Sequence, residues 1–224
     1  TLRKFSFKSH SFYGGITLGV VATGVVTDFA IPANPKHPPL PRSNTETPHM
    51  AAAFDILTDE GSKQSLHPGQ NMDTGMTDKG HDLSRQARQS CLGDLFRYTD
   101  SHDITIGNMF TSGVTQNDPA YNQAFVIPDA HFKMPVWVGT GLADGEAGIS
   151  QQYNAVAAMC DAGTHVTWVQ YHGLTHNGAV NPSANDSVPF AANLLKGKVP
   201  QSTCHTLQPV GHEEDATPGI KWNN

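Results

Sequence analysis

The chain has 224 residues, with 14 Lys or Arg against 20 Asp or Glu, for a formal net charge of −6. That length suffices for one sizeable domain with a buried core, and an acidic balance without a basic cluster argues against a surface built to bind nucleic-acid phosphates. Charged residues make up only 15% while Gly (21) and Pro (15) are plentiful, which excludes a coiled coil and a charge-rich disordered chain.

Residues Thr1 to Gly15 are polar, basic and without clear period. The apolar run around Ile16 to Val26 is too short and too Gly-rich to span a bilayer. Within it, LGVVAT (18–23) reads as a strand buried on both faces, as in a parallel sheet. Ile31 to Pro48 is dense in proline and reads as extended or loop. Met50 to Leu57 reads as a short helix and 58–78 as loop. Asp82 to Tyr98 reads as one amphipathic helix, with Leu83, Ala87, Cys91, Leu92, Leu95 and Phe96 at helical spacing. Residues 104–129 show no strong period.

The last third is clearer. PVWVGT (135–140) is a second buried strand. Residues 149–162 form a helix with Ile149, Tyr153, Val156, Ala157 and Cys160 on one face, and Gly163 stands where a C′ glycine belongs. Thr164 to Tyr171 is a third strand. Ser187 to Lys196 is a last helix, with Asp186 or Ser187 as N-cap, Pro189 in the first turn and Gly197 after the end. Strands alternating with helices in this order predict an α/β fold with a parallel sheet and helical crossovers. Trp137 and Trp168 fall in strands and read as core.

Sites in open α/β sheets form beyond the carboxyl ends of the strands. The second strand is followed by GLADG (141–145) and the third by HGLTHNG (172–178). Asp144 and His176 thus lie on loops that adjacent strands bring together, in the acid-then-histidine order of α/β-hydrolases. In a triad the imidazole takes the nucleophile's proton and returns it to the leaving group, while the carboxylate fixes the tautomer and stabilises the imidazolium. Spacing alone leaves a second reading open: Asp144 as a cap of the following helix and His176 as a surface loop residue.

The stretches PVWVGTGLAD (135–144), QQYNAVAAMCDAG (151–163), VTWVQYHGLTHNGAV (166–180) and PQSTC (200–204) resemble the secretory lipase family of fungi and actinobacteria, within the α/β-hydrolases. LGVVATGVVTDF (18–29) and MTDKGHDLSRQARQSCLGDL (76–95) resemble, more loosely, its strand before the cap and its cap helix. The resemblance implies an α/β-hydrolase fold, of which this chain is the C-terminal part. Residues 1–27 then carry the last strand before a mostly helical cap at 28–134, 135–204 form the core with acid and histidine, and 205–224 form a tail. It implies a secreted carboxylic ester hydrolase, a lipase or esterase, with Asp144 orienting His176 as general base and acid. It further implies an ester or lipid substrate, a candidate lipid interface and no cofactor; the charge balance excludes a nucleic-acid partner, and no third ligand at a telling interval supports a metal. It also implies a Cys160–Cys204 disulfide, with Cys91 paired to a cysteine outside this chain; three free thiols are the alternative.

The chain departs from the family at the nucleophile, because no G-x-S-x-G occurs in it. Ser11, in SHSFYGG (9–15), has the wrong spacing and leaves no room for a helix before Leu18. The expectation is therefore that the chain starts after the nucleophile elbow, in keeping with Thr1 at its start and an odd cysteine count. A catalytically inactive fragment or binding module is the alternative. A metal hydrolase using His172 and His176 at i, i+4 is a third reading, weakened by the flanking Gly173 and Gly178. Glu146 stands near Asp144 but outside the turn pattern. Asn185-Asp186-Ser187 is a glycosylation sequon.

Overall fold

A computed structural model describes residues 31, 33–41, 47–65, 75–111 and 130–223. The strand expected at 18–23, and Ser11, lie outside the described residues. The described chain divides into two units, one holding residues 47–111 and the other residues 31–41 and 130–223.

The first unit is helical. Helix α1 (Pro48–Ser65), α2 (Asp78–Ala87), α3 (Leu92–Ser101) and the single turn α4 (Ile106–Met109) surround Ala52, Ala53, Ile56, Met76, Leu83, Leu95, Ile104 and Met109. Helix α1 runs well past the Met50–Leu57 expected from sequence. The helix expected over 82–98 is two helices, broken at residues 88–91. At about 100° per residue, Leu83 and Leu95 would sit about 120° apart on one straight helix. The break lets both enter the same core, and it leaves Cys91 and Leu92 exposed instead of on the apolar face. Thr77 caps α2 through its hydroxyl, and Gly80 lets that helix rest on the Met109 carbonyl, where a Cβ would come within 2.2 Å. Glu60 of α1 accepts from Ser84 of α2 (2.6 Å) and from Arg88, which ends that helix (2.9 Å).

Burial, followed by the neighbouring charge of Asp59, pushes the Asp55 carboxyl up to about 6 from its ordinary 3.8. A carboxyl raised on folding adds stability that is complete below pH 3.8 and lost as pH climbs through 6. At about 1.4 kcal/mol per unit, reduced for partial exposure, Asp55→Asn is expected to add about 2 kcal/mol at pH 7.5 and almost nothing at pH 4. Urea unfolding of both proteins at the two pH values, followed by amide exchange in α1, measures this; equal gains at both would sink it.

The second unit carries a β-α-β crossover. Strand β1 (Val136–Gly141) pairs in parallel with β2 (Val166–Tyr171), from Val136 opposite Val166 to Gly141 opposite Tyr171, and helix α5 (Ile149–Asp161) connects them. Gly163 ends α5 at φ +88°, as its place in the sequence foretold. Of the three parallel strands expected, the described residues hold these two. Val138, Tyr153, Val156, Met159, Val166, Trp168 and Leu207 make the core, and both strand tryptophans are buried.

Helix α5 is buried on nearly every side, Gln151 and Gln152 included, and not on one face as its pattern suggested. Residues 33–41 of the proline-rich segment lie against it. Asn154 accepts from the Leu40 amide (2.7 Å) and donates to the Leu40 carbonyl (2.8 Å), while Asp161 accepts from the His37 amide (3.0 Å) and holds His37 Nδ1 at 2.6 Å. Residues 200–204 run along the edge of β2. The Thr203 amide donates to Val166 O (2.8 Å), and its hydroxyl accepts from the Trp168 amide (2.9 Å). The Cys160–Cys204 disulfide, with Cα atoms 5.4 Å apart, pins that segment to α5. Cys91 is a free, exposed thiol.

Helix α6 (Val180–Leu195) begins seven residues before the Ser187 expected. Pro182 fills its first turn, where a missing N–H costs nothing, and Pro189 lies inside. Asp186 does not cap it: its carboxylate accepts from the Tyr171 hydroxyl at 2.6 Å. Burial, followed by this bond, drives that phenol far above its ordinary value. Asn185 of the sequon is exposed on this helix.

Candidate functional site

The two loops that follow β1 and β2 meet at the C-terminal end of the strands. Leu142 N–H donates to Tyr171 O (2.9 Å) and Ala143 N–H to Leu174 O (3.0 Å), so the ladder continues into the loops. The approach is close enough to require Gly141, where a Cβ would lie 2.3 Å from Leu174 O and 2.9 Å from Thr175 O. This contact sets the acid loop against the histidine loop.

Asp144 is 4% exposed, and its carboxylate is surrounded by donors. Oδ1 accepts from the backbone N–H of Glu146 (3.1 Å) and Ala147 (2.9 Å). Oδ2 accepts from Gln152 Nε2 (3.0 Å) and faces His176 Nδ1 at 3.0 Å. Asp144 does not cap α5, whose N-cap is Gly148 without a side-chain bond; its carboxylate closes the turn before that helix and bonds His176 Nδ1. An ionised carboxylate only accepts, so Nδ1 carries the proton in this bond. Nε2 of the neutral ring then keeps a free lone pair, and it bonds to no described residue. The His176 side chain is about a quarter exposed, so the ring is held on one side and open on the other.

The bond to Asp144 raises the His176 pKa above the ordinary 6.5; burial opposes this, and the charges of Asp144 and Glu146 add to it. The stabilisation that the charged pair adds to the fold is complete below pH 6.5 and is lost as pH rises through the raised value. Burial in turn raises the Glu146 carboxyl, against the pull of His176 and with the push of Asp144. Asp144, and not Glu146, occupies the hydrogen-bonding position on the imidazole.

His172 does not converge on His176. It is largely exposed, and its Nδ1 meets Glu214 Oε1 at 2.7 Å. That bond, with the Gly173 N–H on Oε2, holds the Glu214 carboxyl below the usual carboxylate range. Among the described residues, no group of three or more His, Cys, Asp or Glu is placed to hold a metal ion.

Sequence reasoning missed three polar residues around the pair. Gln152 could have been noticed as one of two adjacent glutamines in the first turns of the helix that follows the acid loop. Glu214 and Asn223 leave no local signal, since the histidine-loop backbone groups they hold lie some 40 residues or more earlier in the chain. Comparison with family models, curated proteins and solved structures yields no match to this chain.

Proposed function

We propose that Asp144 and His176 are the acid and the base of a carboxylic ester hydrolase that works through a serine acyl-enzyme. The observation that carries this reading is a buried carboxylate with all its acceptor sites used, fixing Nδ1 of a partly exposed imidazole at 3.0 Å. In such a reaction His176 Nε2 takes the serine proton as the oxygen attacks the ester carbonyl carbon. It then passes that proton to the departing alkoxide, and water completes the cycle by the same route. Asp144 stays ionised and stabilises the imidazolium. Because the base must be neutral, the rate is expected to rise with pH through the raised His176 value.

The resemblance to secretory lipases supplies the substrate class, esters of lipid type, and an extracellular site of action. The Cys160–Cys204 disulfide supports an oxidising compartment. The absence of a G-x-S-x-G in the sequence favours a second reading, a binding module in which the pair is only structural.

Treating both this chain and a longer protein that carries a G-x-S-x-G elbow before it with a fluorophosphonate, and mapping adducts by mass spectrometry, decides between the two. The hydrolase reading expects no label on the chain alone and one labelled elbow serine in the longer protein, with labelling that collapses in His176→Ala. A folded longer protein that takes no label, or whose labelling ignores His176→Ala, supports the binding module.

A further inference from the structure

The segment that follows the disulfide touches both loops of the site. Glu214 N–H donates to Leu142 O (2.8 Å), two residues before Asp144. Its carboxylate accepts from Gly173 N–H (2.8 Å) and meets His172 Nδ1 (2.7 Å) in the histidine loop. One residue therefore ties the acid loop to the base loop. Asn223 adds a second tie: its Oδ1 accepts from the N–H of Thr175, the residue before His176 (2.7 Å), and its Nδ2 donates to Gly173 O (2.9 Å) and Thr217 O (2.9 Å). Thr217 N–H also donates to Gly173 O (2.8 Å). The fit is close. A Cβ on Gly178 would lie 2.0 Å from Asn223 Oδ1, and one on Gly173, at φ +64°, would lie 2.0 Å from Thr217 Oγ1.

These bonds fall on backbone groups on both sides of Leu174, whose carbonyl rests on the end of β1. The residues flanking His176 are thus fixed from two directions, by the strand end and by the C-terminal segment. An exposed loop between a strand and a helix otherwise samples many conformations, and each departure breaks the Nδ1 bond to Asp144. A misplacement of about 1 Å in such a pair is enough to cost a large part of its effect.

We infer that residues 207–223 form a clasp that sets His176 on Asp144, with Glu214 and Asn223 as its positioning residues. The inference rests on reading Asp144 and His176 as a working pair. Neither positioning residue touches the imidazole. Glu214 is not among the charges that act on it, so any effect on His176 must pass through the loop backbone.

The test uses the full chain labelled with 13C-histidine and follows the imidazole C–H signal of His176 against pH. Asn223→Ala and Glu214→Ala are expected to move its titration midpoint down toward 6.5, in the direction taken by Asp144→Asn, while Glu214→Gln, which keeps an acceptor for Gly173, stays near the wild type. Thermal midpoints are measured alongside. A variant that melts earlier but titrates as the wild type does overturns the clasp, because loss of packing alone leaves the midpoint in place. If Asp144→Asn itself leaves the midpoint unchanged, the pair fails as well, and the two failures are thereby distinguished. Should Asn223→Ala not fold, the half-exposed Glu214→Ala decides alone.

Discussion

Asp144→Ala is expected to lower the unfolding free energy of the sheet-bearing unit by about 3–5 kcal/mol. The substitution strands the amides of Glu146 and Ala147, the Gln152 side chain and His176 Nδ1 in or at the edge of the interior. Each buried donor without a partner costs about 1–3 kcal/mol. Asp144→Asn is the milder change. It keeps an oxygen for the two backbone donors but turns an NH2 toward Gln152 and His176, donor against donor. Stability should fall less, while ester hydrolysis under the proposed function should fall about 10,000-fold, because the imidazole is then held in the wrong tautomer. Urea denaturation, and initial rates on a short-chain ester for a longer protein that carries the elbow serine, measure the two effects. Equal losses of rate and stability in the two variants would argue that the carboxylate only supports the turn.

Removing the Cys160–Cys204 bond is the second large change. It closes a 44-residue separation, and in the chain-entropy model its loss costs about 4 kcal/mol. The closed segment contains β2, the His176 loop and α6, so the cost falls on the elements that present the histidine. Denaturation of Cys160→Ala/Cys204→Ala against the wild type gives the figure. A difference below about 1 kcal/mol would mean that the hydrogen bonds of residues 200–204 to β2 hold the segment without covalent help.

Much of the second unit could be read from the sequence, for physical reasons. Val136–Gly141 and Val166–Tyr171 are short runs rich in β-branched residues, and a strand pairs where such runs are bounded by turns. Asp144 and His176 were found because loops after parallel strands converge whatever their sequence. The helical unit was less legible. The break at residues 88–91 contains neither Gly nor Pro, and only the shared core of Leu83 and Leu95 explains it. The start of α6 was misplaced because Asn181, Ser183, Asn185 and Asp186 are weak helix formers and read as loop, while Pro182 was the better marker of a first turn. Asn154 and Asp161 gave α5 an apparent solvent face, yet both turn toward a segment more than a hundred residues away. Glu214 and Asn223 reach the histidine loop across 41 and 48 residues of chain, and no periodicity encodes such contacts.

The bond between Cys160 and Cys204 also divides the unit mechanically. If the chain is drawn out between residues 31 and 223, the load passes across the bridge, and residues 161–203 within it carry none of it. At about 3.5 Å per residue, about 150 Å of contour length stays hidden until the bridge is reduced. His176 lies within that sheltered length, whereas Asp144, Glu214 and Asn223 lie outside it. Tension therefore draws the acid and the clasp away from a histidine whose own loop remains slack, and an extended chain keeps its base while losing everything that aims it.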